Sequence, residues 1–142
     1  VWKLYYEMQM PMLLGFKKVY GDLESFHVHG ICLINHALNS KRNDNSEMSK
    51  EFYLEKYFFA DKKDFSGVNA MSISEITGIP RATVIRKLNR LLKEKFLTID
   101  SKKHYSTTGV NQKKILNVQK KTLDNLSNFV TRIYNLSLIK DN

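Results

Sequence analysis

The chain has 142 residues and carries 23 Lys+Arg against 14 Asp+Glu, a formal net charge of +9. That length is one domain, or a small module with added helices, and can bury a core without disulfides or structural metals. A single cysteine, Cys32, excludes an intrachain disulfide framework and any Cys-based zinc motif, and no run of about 18 apolar residues is present to suggest a membrane partner.

Residues 2–20 place Leu4, Met8, Met12, Phe16 and Val19 at helical spacing, which predicts an amphipathic first helix. Pro11 lies within it and is expected to kink the helix or mark its true start, because proline lacks the backbone donor. After Gly21-Asp22 a second helix is predicted over about 23–38, with Leu23, Phe26, Gly30, Ile31, Ile34 and Leu38 on one face. Val28, Cys32 and Leu33 widen that surface, as in a helix buried on more than one side. Residues 39–50 are polar and read as a loop, a short aromatic helix is expected at about 51–59, and 61–67 is a second connection.

Residues 71–92, MSISEITGIPRATVIRKLNRLL, are the most informative stretch. Ser72 with Glu75 three residues on is a capping-box signal for a helix beginning near Ile73. Gly78 supplies a left-handed terminus and Pro80 suits the start of a new helix running to about Lys95. Two helices joined by a tight Gly-containing turn form a helix-turn-helix, and Ser74 is small where the two should approach closely. In the second helix Val84, Leu88, Leu91 and Lys95 form the core row, widened by Ile85 and Leu92. The opposite face collects Thr83, Arg86, Lys87, Arg90 and Lys93.

Residues 96–100 and 104–108 then alternate apolar and polar around Ser101-Lys102-Lys103, which predicts a small β-hairpin with a basic tip. One long helix is predicted over 112–139, with Leu116, Leu123 and Val130 at seven-residue steps and Leu126 and Ile133 between them. That seam suits packing on a partner helix or on residues 1–38 of the same chain.

The positive charge is unevenly placed. Residues 1–50 are nearly neutral at +1, whereas residues 81–103 alone reach +6, with Glu94 and Asp100 as their only acids. Helical periodicity forces basic residues away from the core face; it does not force the excess of one sign.

The string Thr77-Gly78-Ile79-Pro80-Arg81-Ala82-Thr83-Val84-Ile85-Arg86-Lys87-Leu88, followed by Leu91-Leu92, Phe96-Leu97, Asp100 and Tyr105, resembles bacterial winged-helix regulators. Locally it is similar to the DNA-binding domain of the IclR type, and in layout to the MarR type, over about residues 70–109. The resemblance implies a homodimer whose second helix, about 81–95, enters the DNA major groove. The usual contact positions fall on Arg81, Ala82, Thr83, Arg86, Lys87 and Arg90, and the hairpin tip Lys102-Lys103 would reach the minor groove or flanking phosphates. Two departures stand out: Lys95 occupies the place where the family usually ends the helix with glycine, and the tip carries lysines where arginine is common. Arg81 and Thr83, in the first helical turn, are the expected base readers, and Arg86 and Arg90 the expected backbone contacts.

Other clusters are weaker. His29, Cys32 and His36 sit at helical spacing and could form a soft-metal or thiol cluster, but a buried cysteine among packed histidines is expected, with no metal or cofactor. Met8, Met10, Met12 and Met71 could line an apolar effector pocket, although plain core packing is the simpler reading. Glu51, Glu55, Asp61 and Asp64 are read as surface carboxylates. No nucleophile motif or phosphate-binding glycine loop is present, so catalytic residues are not expected and the chain is read as a non-enzyme.

These observations predict a mostly α-helical protein with a small β-hairpin wing, a winged helix-turn-helix flanked by dimerisation helices. The expected organisation is 1–50 for dimerisation or an effector pocket, 51–110 for DNA binding and 111–142 for dimerisation. The expected function is that of a cytoplasmic, homodimeric transcriptional regulator bound to double-stranded DNA, with a small-molecule effector as a further partner. The competing readings are a winged-helix interaction module of a larger assembly and a plasmid- or phage-type replication or partition protein.

Overall fold

The computed structural model describes residues 1–41 and 67–140. They form α1 (Trp2–Tyr20), α2 (Leu23–Lys41), α3 (Ala70–Thr77), α4 (Arg81–Lys93), β1 (Leu97–Ile99), β2 (Tyr105–Thr107) and α5 (Gln112–Lys140). The protein is thus mostly helical with a small antiparallel hairpin, and among the described residues no helix is long and apolar enough to cross a membrane. The short aromatic helix expected at 51–59, the carboxylates at 51–64, the 61–66 connection and the boundary at residue 50 lie outside the described residues.

The chain divides into two compact units, Val1–Asp22 with Lys113–Asn142, and Leu23–Gln112. In the first, α1 and α5 run antiparallel. The Tyr5 and Phe129 rings meet edge-on at 6.4 Å, Arg132 pairs with Glu7 at 2.9 Å, and Gly15 faces Val118. A Cβ added at Gly15 would lie 2.9 Å from Val118 Cγ1, so glycine permits a close approach of the two helices here. Pro11 does not mark a helix start: α1 runs unbroken from Trp2 through it, because the missing donor removes only one link of the hydrogen-bond ladder.

In the second unit, α2 packs on α3, α4 and β2, so it belongs with the hairpin unit rather than with α1. Its buried stripe is Ser25, Val28, His29, Cys32, Leu33 and His36; the expected aliphatic face is turned aside, with Ile34 exposed. The short α3 is capped three residues earlier than the Ser72–Glu75 pattern predicts. Asn69 Oδ1 accepts the Ser72 backbone N–H at 2.9 Å, and asparagine is as strong an N-cap as serine. Gly78 ends α3 with φ 71°, a conformation that costs glycine little, and its N–H donates to the Ser74 carbonyl. Ser74 spans the turn, its hydroxyl donating to the Ile79 carbonyl at 2.7 Å.

The hairpin pairs Leu97 with Thr107, Thr98 with Ser106 and Ile99 with Tyr105. Val68 adds a bridge on the far side of β2, exchanging both backbone hydrogen bonds with Tyr105 at 3.0 and 2.8 Å. The approach is close enough that a Cβ on Gly67 would lie 2.3 Å from the Tyr105 carbonyl oxygen. Backbone cannot yield as a flexible side chain would. Gly67→Ala is therefore expected to lose about 1–3 kcal/mol of stability, measured as a lowered denaturant midpoint; an unchanged midpoint would remove the bridge from the fold's supports.

Candidate nucleic-acid interface

The rotation of α4 decides which basic side chains are available. Val84, Leu88 and Leu91 are fully buried, and Phe96 and Leu97 continue the core where the helix ends. Residues three and four apart share a helix face, so Ala82, Ile85, Arg86, Asn89 and Lys93 form one exposed row, with Arg81 exposed at its start and Thr83 half-buried at its edge. Ile85, expected to widen the core row, is instead exposed, and with Asn89, which was not among the expected contacts, it lies at the centre of this row. Their positions between 82 and 93 at helical spacing are the signal that identifies them.

Two of the expected contact residues are engaged within the chain. Lys87 is buried at 9 % exposure, and its ammonium lies 3.2 Å from the Glu24 carboxylate on α2. The Arg90 guanidinium donates to Ser25 Oγ at 2.9 Å and lies 3.6 Å from Glu94. Both side chains therefore tie α4 to its own fold. The cause is position: each sits one step round the helix from the core row, where α2 covers the surface, and a long aliphatic stem lets the charge reach a partner at that edge. Of the expected set, Arg81, Ala82, Thr83 and Arg86 remain on α4's accessible side.

Beyond the helix, Lys95 adopts φ 61° where a glycine is usual, and Phe96 N–H closes back to the Leu91 carbonyl at 2.9 Å. Thr108 Oγ1 donates to the Lys95 carbonyl and Asn111 Nδ2 to that of Glu94, so the connection between β2 and α5 secures this left-handed corner. At the tip, Lys102 and Lys103 are exposed. Asp100 organises them: its Oδ1 accepts the backbone N–H groups of Lys102 and His104, both at 2.9 Å, while Oδ2 lies 3.3 Å from His104 Nδ1. The His104 backbone N–H, then the other donors, hold the Asp100 carboxyl below its usual range. Lys103, at φ 61°, takes the left-handed position of the tip.

The remaining candidates do not converge. His29, Cys32 and His36 are buried within α2, and among the described residues no group of three His, Cys, Asp or Glu is arranged to hold a metal. Burial pushes the Cys32 thiol up to about 12, so it is unreactive in the folded state. The four methionines also separate: Met12 lines a cavity between α1 and α5, Met8 a smaller one, and Met10 and Met71 are exposed.

His29 carries a testable consequence for the helix frame. Its ring packs 5.5 Å from Phe96, and burial lowers its pKa to about 3, against a smaller upward effect of a hydrogen bond to the Phe96 backbone. The unfolded chain takes up a proton near pH 6.5 that the fold refuses until about pH 3. Stability from this group is therefore complete above pH 6.5 and is lost as pH falls through that window, by up to about 1.4 kcal/mol per pH unit. His29→Gln is expected to flatten the acid limb of a stability–pH profile between pH 6 and 4; an unchanged slope would assign acid lability to other groups.

Searches against family models, curated proteins and solved structures found no match to this chain.

Proposed function

We propose that the chain is a sequence-specific, double-stranded DNA-binding transcriptional regulator with a winged helix-turn-helix. In this reading α3 and α4 form the helix-turn-helix, the β1–β2 hairpin is the wing, and α4 enters the major groove. The observation that carries the reading is the exposed row of α4. Arg86, Asn89 and Lys93 project from a helix whose opposite face is locked in the core, and the row bears no carboxylate. Arginine to guanine and asparagine to adenine are the side-chain pairings that read base edges, while Ala82 and Ile85 suit contact with thymine methyl groups. Arg81 lies at the first turn of α4, and the N–H groups there lack side-chain caps, so this end favours a phosphate. Lys102 and Lys103 add charge for backbone contacts.

The expected homodimer gains support from α5. Leu126, Val130, Tyr134 and Leu138 form a four-residue-spaced row, all exposed on a helix whose other face meets α1. A second copy would bury this row, and a two-fold pair of α4 helices would read a pseudo-palindromic site. Light scattering of the full chain is expected to give the mass of a dimer, and a monomer at tens of micromolar would remove the two-fold docking.

The decisive experiment compares two neighbouring cations by fluorescence anisotropy on a selected duplex and a scrambled one. Arg86→Ala is expected to weaken binding about tenfold, roughly the 1–3 kcal/mol of a good contact, with stability changed by less than about 0.5 kcal/mol. Lys87→Ala is expected to lower stability by about 1 kcal/mol and to leave the affinity of the folded protein within threefold. Equal effects of both on binding would sink the α4 assignment. Equal affinity for both duplexes, falling with salt, would favour an interaction module, and selection of spaced direct repeats would favour the replication reading.

A further inference from the structure

Within the α1–α5 unit lies a cavity of about 480 Å³, inside the size range of small-molecule sites. It lies beside the close Gly15–Val118 contact, both residues being part of its lining. Its apolar lining comes from Pro11, Met12 and Val19 on α1 and Val118 on α5. Its lining also includes two lysines, Lys18 from α1 and Lys121 from α5, both exposed. Asp124, also on the lining, is already engaged by a partner, whereas neither lysine has an ion-pair partner among the described residues. Asn117, Thr122 and Asn125 add neutral hydrogen-bonding groups from α5.

Two lysines without an ion-pair partner among the described residues, beside an apolar lining, define the chemistry of what fits. A neutral apolar molecule would leave both ammoniums unmatched, and a small inorganic ion would leave the apolar lining wet. An anionic head group with an apolar body satisfies both halves, because lysine recognises carboxylate and phosphate alike as a point charge. We propose that this cavity binds a small organic anion, its acidic group held between Lys18 and Lys121 and its apolar body against Met12, Val19 and Val118. The site lies wholly within the α1–α5 unit and is independent of the DNA reading: it can be tested without DNA, and either can fail alone.

The test is calorimetric titration of the full chain with 1-naphthoate, 1-naphthyl phosphate and the neutral 1-naphthol. At least one anion is expected to bind tenfold or more tightly than 1-naphthol, and the tighter of the two identifies the head group. Lys18→Gln/Lys121→Gln is expected to lose that preference at least tenfold, whereas Lys17→Gln, outside the lining, should keep it. Met12→Trp, which fills the apolar chamber, should abolish binding of all three. Equal affinity for the three probes, no binding of either anion, or an anion preference that survives in the folded double variant would overturn the proposal. The comparison of charged and neutral probes on the unaltered chain stands even where a variant fails to fold.

Discussion

The burial of Val84, Leu88 and Leu91 is the constraint on which the rest of the Leu23–Gln112 unit depends. Each side chain is fully inside, and withdrawing such residues from water is worth roughly 1.5–3 kcal/mol apiece. An exposed ion pair, by contrast, contributes about 0–1 kcal/mol. The apolar row therefore sets the rotation of α4, and the charged residues accept whatever direction that rotation leaves them. Arg86 is sent to solvent. Lys87 and Arg90 are sent to the flank covered by α2, where Glu24 and Ser25 receive them. The same rotation places Phe96 against His29 of α2, which anchors the chain just beyond the far end of the helix.

How much of this was legible depended on whether the deciding partner lay close in sequence. The turn at Gly78-Ile79-Pro80, the hairpin and the extent of α5 follow from local chemistry: a left-handed glycine, a proline at a helix start, period-two alternation, and heptad steps. The misses at Lys87 and on α2 have tertiary causes. Lys87 reads as surface because charged residues rarely lie buried, and nothing nearby in sequence announces Glu24. On α2 Val28, Cys32 and Leu33 are buried as expected and Ile34 of the expected face is exposed, while Ser25 and His29 also lie inside. Their small or flat side chains let α4 come close and give Arg90 an acceptor, and that fit outweighs the hydrophobicity ranking. The Asn69 cap was legible in principle; the Ser72–Glu75 pair competes for the same role, and only hydrogen-bond geometry separates them.

The α5 helix shows a related ambiguity. Its heptad seam of Leu116, Leu123, Leu126, Val130 and Ile133 is the most apolar line in its sequence, yet α1 meets the adjacent line through Val118, Phe129 and Arg132. The reason lies on α1. Gly15 accepts the branched Val118, and Glu7 needs the cation that Arg132 supplies. Contact chemistry on the smaller helix thus selects the seam, leaving Leu126 and Val130 exposed. Leu116, Leu123 and Ile133 of the seam are half-buried, so the proposed self-association would bury Leu126 and Val130 together with Tyr134 and Leu138 further along the helix.

On the proposed DNA reading, the placement of charge separates affinity from specificity. Lys87 is matched by Glu24 and Arg90 by Glu94, so the basic stretch from 81 to 103 is less concentrated on α4 than its sequence suggests. Lys93 at the end of the exposed row, and Lys95, Lys102 and Lys103 beyond it, lie where contacts to phosphate set register and contribute a salt-dependent share of binding, while Arg81, the base reader expected from the sequence, stands at the start of the row. The centre of the row is occupied instead by Ala82, Ile85 and Asn89 beside a single arginine, Arg86. Uncharged groups there gain little from counterion release, and their contribution to binding would come from fitting particular base edges. A helix using charge alone would bear lysine or arginine at 85 and 89 as well. The neutral centre within a basic border is therefore the feature that argues for sequence-selective contact over general attraction to a polyanion.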